Sequence, residues 1–184
     1  MNTATAAMPF ASDIKAIRER ARKHIEDGAI TDSYAADRTT VIKLLNEALA
    51  TELVCVLRYK RHYFTAKGLA AEPVKAEFLE HAREEQEHAD KIAERIVQLG
   101  GDPDFNPAIL ASRSHAEYVE GTDLRDMVKE DLVAERIAID SYRDIINYLG
   151  DKDTTTKRIM ESILAQEEEH ADELADMLEG LTGK

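Results

Sequence analysis

The sequence predicts an all-α protein: a four-helix bundle of two antiparallel hairpins joined by a long crossover, with an extra N-terminal helix. Three observations predict it. Pro and Gly are scarce, at 4 and 8 of 184 residues, while Ala, Glu, Leu, Ile, Asp and Arg dominate, a composition that suits helices better than strands and turns. Four long stretches carry apolar residues at alternating steps of three and four, the period of a helix face. The connections between them run short, long, short.

Residues 1–11 are small and mixed and are read as mobile. A short helix is expected over about 13–27, capped by Ser12 or Asp13 and stopped by Gly28, with Lys15, Arg18, Arg20, Arg22 and Lys23 among its residues. A linker, about 28–38, closes an N-terminal extension of residues 1–38. The bundle domain follows over 39–182. Its first long helix spans about 39–67 and stops near Gly68. The second spans about 73–99, with Pro73 in its first turn and Gly100-Gly101 at its end. The third spans about 123–149, capped near Thr122 or Asp123 and ended by Gly150. The fourth spans about 153–180, entered through Asp153 or Thr154. The connection over about 101–122 holds Pro103 and Pro107, and connections of that length are uncommon without a task. Crossing the bundle is the task that places the second and third helices parallel.

The formal net charge of -13 argues against simple binding to nucleic acid or an anionic membrane, and it suits attraction of cations. Cys55 is the one cysteine, so no intrachain disulfide can form, and it is read as a small packed residue. No apolar run reaches the roughly 18 residues of a membrane span, and no secretory signal pattern opens the chain. A cytoplasmic protein without membrane contact is the expectation.

Polar residues interrupt the apolar seams at mid-helix. The first seam reads Leu45, Leu49, Glu52, Val56, Tyr59; the second Phe78, His81, Glu85, His88, Ile92. The third reads Val128, Asp131, Glu135, Ala138, Tyr142; the fourth Met160, Ile163, Glu167, His170, Leu174. Glu52, Glu85, His88, Glu135, Glu167 and His170 should therefore point inward together. A buried, unpaired carboxylate costs several kcal/mol, and four would repel strongly. Two divalent cations would balance all four charges. Glu85-x-x-His88 and Glu167-x-x-His170 each put an oxygen and a nitrogen ligand one turn apart, and such a mixed set suits iron or manganese. The pattern also repeats: Glu52 precedes Glu85 by 33 positions and Glu135 precedes Glu167 by 32, with Tyr59 and Tyr142 each seven after the isolated Glu. Two such hairpins would make a pseudo-twofold site.

A single E-x-x-H is more often a solvated helix face than a ligand pair; two copies matched by two inward Glu on the other helices reverse that balance. Glu84, Glu87, Glu168 and Glu169 lie off the seams and keep the solvated reading. Tyr59 and Tyr142 are either core aromatics or phenols bonded to a ligand carboxylate. Asp131 is expected to hold a histidine ring nitrogen beside the metals. His81 is read as a packed or rim histidine. His24, His62 and His115 show no comparable partners.

These residues resemble the ferritin-like superfamily, and within it bacterioferritin and the archaeal-type Dps-like proteins, over about 39–180. Thr51-Glu52-Leu53-Val54 with Tyr59, Glu85-Gln86-Glu87-His88-Ala89-Asp90, Asp131-Leu132-Val133-Ala134-Glu135 and Glu167-Glu168-Glu169-His170 look like its motifs on the four helices. The resemblance implies that Glu85 and Glu167 bridge two iron ions per chain, with Mn or Zn as substitutes. Glu52 with His88 would complete one ion, and Glu135 with His170 the other. It further implies a catalytic diiron ferroxidase, with Tyr59 beside the ligands, which oxidises Fe(II) with O2 or H2O2 and stores ferric iron in a cage.

Departures from the family pattern sharpen the expectation. The haem-ligating Met of bacterioferritin is Gln86 here, so no haem is expected. The second Glu of rubrerythrins on the third helix falls at Ala138 and Ile139, against a peroxidase of that type. The chain ends just after the fourth helix, without the fifth helix of 24-subunit ferritins, and it lacks the cysteine pair often found in archaeal-type Dps-like proteins. A twelve-subunit homo-oligomer is favoured, ahead of a dimer or a 24-mer. A non-cage dimetal oxidase or peroxidase, using Fe or Mn in oxidative-stress defence, is the competing function. DNA binding through the basic segment 13–27 is disfavoured, because Asp13, Glu19, Glu26 and Asp27 offset its charge.

Overall fold

A computed structural model describes residues 11–181, so the expectation of mobility over 1–11 lies almost wholly outside the described residues. The chain divides into two units, the first ending at Tyr34 and the second beginning at Ala35. All described elements are helical. In the first unit α1 covers Ile14–Arg20, and a 3-10 turn covers Ile25–Asp27. The single helix expected over 13–27 is thus cut short. His24 takes a left-handed conformation (φ 48°), and neither segment has a buried residue whose packing could keep it helical. Asp13 caps α1 by accepting from Ala16 N at 3.0 Å.

The second unit holds α2 (Arg38–Thr65), α3 (Ala71–Gln98), the one-turn α4 (Leu110–Arg113), α5 (Leu124–Leu149) and α6 (Thr154–Leu181). The four long helices agree with the sequence expectation to within two residues at each end. Asp37, Asp123 and Asp153 start α2, α5 and α6 by accepting from the backbone N of Thr40, Asp126 and Thr156. The turn α4 was not foreseen, since four residues are too few to show a period.

Side-chain pairs fix the register. α2 meets α5 antiparallel, with Arg58 against Asp131 and Tyr142 against Glu52. α3 meets α6 antiparallel, with His81 against Glu173, His88 against Gln166 and Arg95 against Thr156. Each hairpin is antiparallel, so α3 and α5 run parallel, as the long crossover requires. The crossover is bonded along α2 from end to end. Asn46 Oδ1 accepts from Asp104 N (2.8 Å), Thr51 Oγ1 from His115 N (2.9 Å), Glu117 O from Arg58 Nη1 (2.9 Å), and Glu120 O pairs with His62 Nε2 (3.1 Å). At its exit Gly121 has φ 68°, and a Cβ there would meet Met127 Cγ at 2.6 Å.

Two buried guanidinium groups brace opposite ends of the bundle. Arg58 donates from Nε to Asp131 Oδ1 at 2.7 Å, and Asp131 Oδ2 meets His62 Nδ1 at 2.8 Å. Arg95 donates to Thr156 Oγ1 at 2.8 Å and to Asp153 at 3.1 Å. Removing one partner of a buried ion pair strands the other charge. Arg58→Met should therefore lower the stability of the bundle by about 3–5 kcal/mol, read as a lower urea midpoint at an unchanged slope. The double variant with Asp131→Leu should lie above the single one.

Candidate dimetal centre

Glu52 on α2, Glu85 and His88 on α3, Glu135 on α5, and Glu167 and His170 on α6 come together at mid-bundle, each no more than 2% exposed. The seam periodicity is the cause: each helix turns these positions inward between apolar residues such as Leu49 and Val56, or Ile163 and Leu174. His88 Nδ1 lies 2.9 Å from Glu167 Oε1, and 3.5 Å from both Glu52 Oε2 and Glu85 Oε2. His170 Nδ1 lies 3.4 Å from Glu85 Oε1, 3.8 Å from Glu167 Oε2 and 3.9 Å from Glu135 Oε2. Two sets result, Glu52-Glu85-His88-Glu167 and Glu85-Glu135-Glu167-His170, each with ligand atoms within 4.8 Å of one another. Glu85 and Glu167 belong to both.

The atoms facing this interior have no hydrogen-bond partner: Glu85 Oε1, His88 Nδ1, Glu135 Oε2, both oxygens of Glu167, and His170 Nδ1. Buried polar atoms are nearly always satisfied, so such a cluster points to a ligand. The donor set, four carboxylates and two imidazoles, can hold two divalent ions of borderline character with charge balance. Without ions the carboxylates cannot all ionise. Burial, then the charges of Glu85 and Glu167, push Glu52 and Glu135 well above the usual carboxylate range. Burial works against the charge of Glu85 and Glu167 as well, but the proximity of neighbouring carboxyls and both imidazoles holds them below it. Burial opposes the imidazolium form too, yet the carboxylates dominate: His88 is raised far above its ordinary value and His170 is pushed up to about 12.

Tyr59 donates to Glu135, and Tyr142 donates to Glu52, each across the bundle. Of the two readings left open for these tyrosines, the geometry matches the phenol bonded to a carboxylate. Asp131 departs from expectation. The histidine it holds is His62, nearly three turns from Glu52 along α2 and away from the centre, and its other oxygen binds Arg58. His62, for which the sequence shows no partner, is held by Asp131 and by the Glu120 carbonyl. The far ring nitrogens of the centre's histidines are held instead by Gln166 Oε1 (2.9 Å from His88 Nε2) and Glu84 Oε2 (2.8 Å from His170 Nε2). Glu84 is thus not the solvated residue expected of its off-seam position, whereas Glu87, Glu168 and Glu169 are exposed as expected. The missed signal is in the repeat: Glu84 and Gln166 each directly precede a Glu-x-x-His glutamate.

The chain belongs to the ferritin family: a ferritin-like domain matches residues 42–183. Its relatives include the bacterioferritin of Rhodobacter capsulatus, 33% identical over 133 residues that make up 72% of this chain and 78% of that one. The DNA protection during starvation protein of Pyrococcus furiosus is 34% identical over 155 residues, 82% and 83% of the two chains. Among solved structures, a dodecameric thioferritin of Bacteroides fragilis, described as bacterioferritin-related, is 35% identical with a TM-score of 0.78, covering 80% of this chain and 89% of its own.

Glu84→Ala and Gln166→Ala should each weaken binding of one of two divalent ions by about 10–100-fold, read by competitive titration against a metal indicator. Chelator-treated protein should also respond to pH. The raised imidazoles give a stabilisation that is complete below the unfolded value of 6.5 and is lost as pH rises toward the folded values. The lowered Glu85 and Glu167 act oppositely, losing theirs as pH falls below 4.5. The melting temperature of the metal-free protein should thus fall as pH rises above 6.5, and saturating Zn(II) should abolish that fall by replacing the protons.

Proposed function

We propose that the protein is a diiron ferroxidase that oxidises Fe(II) with O2 or H2O2 and stores the ferric product inside a homo-oligomeric shell, for iron storage and detoxification. The observation that carries this reading is the cluster of six unpartnered ligand atoms in a dry bundle interior. Membership of the ferritin family supports it. In the proposed assignment Glu85 and Glu167 would be shared by two irons, with Glu52 and His88 completing the ligands of one and Glu135 and His170 those of the other. Mn or Zn would fill the same positions.

Bound iron supplies the electrons that pass to the oxidant. The chain supplies placement. Four helices would hold the two positions side by side, since Glu85 and Glu167 belong to both ligand sets. Tyr142 and Tyr59 engage one oxygen of Glu52 and Glu135, which leaves the other oxygen of each free to face a metal. Gln166 and Glu84 fix the histidine rings with Nδ1 inward. Apolar neighbours exclude bulk water, which strengthens every charge interaction in the centre.

The shell is assigned twelve subunits, in keeping with the dodecamer described for the Bacteroides fragilis relative. Haem is outside the proposal: the position that would carry its Met is Gln86, whose amide is engaged with Asp90 at 2.9 Å. Nucleic acid is also outside it, since the net charge is -13, although one relative is named for DNA protection. No helix among the described residues is long and apolar enough to cross a membrane. The proposed setting is the cytoplasm.

The purified protein should bind two Fe(II) per chain, oxidise them, and then take up many more. Glu85→Ala with Glu167→Ala should abolish the fast phase while leaving the helical signal intact. A light-scattering mass near twelve chains is expected. A dimer that stops at two irons would remove the storage half of the proposal and leave a non-cage dimetal oxidase or peroxidase.

A further inference from the structure

The two halves of the centre repeat closely, but the groups that hold their histidines differ in charge. Glu84 directly precedes Glu85 on α3 and reaches across to α6, where its Oε2 lies 2.8 Å from His170 Nε2. Gln166 directly precedes Glu167 on α6 and reaches back to α3, where its Oε1 lies 2.9 Å from His88 Nε2. Position, reach and distance match. One acceptor is a carboxylate and the other a neutral amide. That difference acts on a bound ion. A histidine that gives its Nδ1 lone pair to a metal carries its one proton on Nε2, so each ring then donates to its partner. A hydrogen bond to a carboxylate is about twice as strong as one to a neutral acceptor, and it makes the imidazole a stronger ligand. The amide of Gln166 fixes its ring in the same way but brings no charge.

The surroundings push in the same direction. His170 and Glu84 line a cavity of about 90 Å³ with Glu77, Glu80, Glu169 and Glu173, and no Lys or Arg is among its lining residues. Neither His88 nor Gln166 belongs to that lining, so the negative potential of these carboxylates bears first on the His170 side. The ring of His170 is also pinned on its face: buried His81 stacks on it, with centroids 4.1 Å apart and planes 21° from parallel. A ligand held both at its edge and on its face loses less freedom when it binds an ion.

We propose that the two metal positions of the centre are unequal: the one on Glu135 and His170 binds more tightly and fills first, and Glu84 is the positioning residue that sets this order. The inference rests on the diiron reading above and deepens it. A chain short of iron would hold one ion on His170, and filling the His88 position would complete the pair on which oxidation depends. Changing such a partner shifts metal affinity by about 10–100-fold. The Glu84 side chain is 33% exposed, so solvent screens its charge and the lower end of that range applies.

Zn(II), which is redox-silent, tests the order on the full chain freed of metal. Crystals loaded with one Zn(II) per chain, with anomalous data at the zinc edge, should show the ion mainly beside Glu135 and His170. Titration against a metal indicator should resolve two steps that differ about tenfold in affinity. The exchange variant Glu84→Gln with Gln166→Glu keeps both hydrogen bonds and swaps only the charge, so its first ion should appear beside Glu52 and His88. Glu84→Gln alone should bring the two affinities together. A wild-type chain that fills both positions equally, or the His88 position first, overturns the proposal, and so does an exchange variant whose first ion stays on His170. An unchanged gap in Glu84→Gln overturns it even if the exchange variant does not fold. Each of these results, with two ions bound at saturation, leaves the ferroxidase reading standing. Zinc bound outside the two ligand sets would instead overturn the assignment of the centre, and the ranking with it.

Discussion

Four carboxylates share the dry middle of this bundle, and their mutual repulsion is the constraint on which the rest of the structure depends. Such groups spread apart or neutralise unless something holds them. Without ions, protons do part of this work: Glu52 and Glu135 are pushed toward the neutral form while Glu85 and Glu167 keep their charge against two imidazoles. The atoms left without partners are those that face the interior. A protein built only for stability would fill these positions with Leu or Ile; replacing buried ion pairs by packed apolar groups is commonly neutral or stabilising.

The scaffold answers this strain at both ends. On one side of the centre Arg58, Asp131 and His62 tie α2 to α5 and to the crossover. On the other, Arg95, Asp153 and Thr156 tie α3 to the start of α6. Two phenols then cross the bundle in opposite senses, Tyr59 to Glu135 and Tyr142 to Glu52. The centre is therefore gripped between two buried polar clusters, and its own ligands are cross-linked through tyrosine. The pseudo-twofold repeat is complete in the ligands and nearly so around them: Glu84 and Gln166 play matching parts with different chemistry. The symmetry fails at His81, whose counterpart position on α6 is Ile163 and carries no imidazole. This is the side on which the additional carboxylates gather.

Periodicity and punctuation in the sequence determined the four long helices, their hairpin pairing and the six residues at the centre. The reason is local: a helix repeats every 3.6 residues, so a Glu that keeps the phase of Leu49 or Ile163 must turn inward with it. The parallel placement of α3 and α5 followed from the length of the crossover alone. Tertiary structure decided what lies off that phase. Glu84 and Gln166 sit at the flanks of their seams, and only the approach of a neighbouring helix turns them onto a histidine. Asp131 had the right phase, but its partners were set by which residues of α2 lie opposite, Arg58 and His62, a matter of interhelical register that no single helix encodes. The stretch 13–27 carried a helical pattern yet formed only a short helix and a turn, because no buried face supports it. Phase within one helix is written in its own residues; contact between helices depends on register and approach, which exist only once the chain has folded.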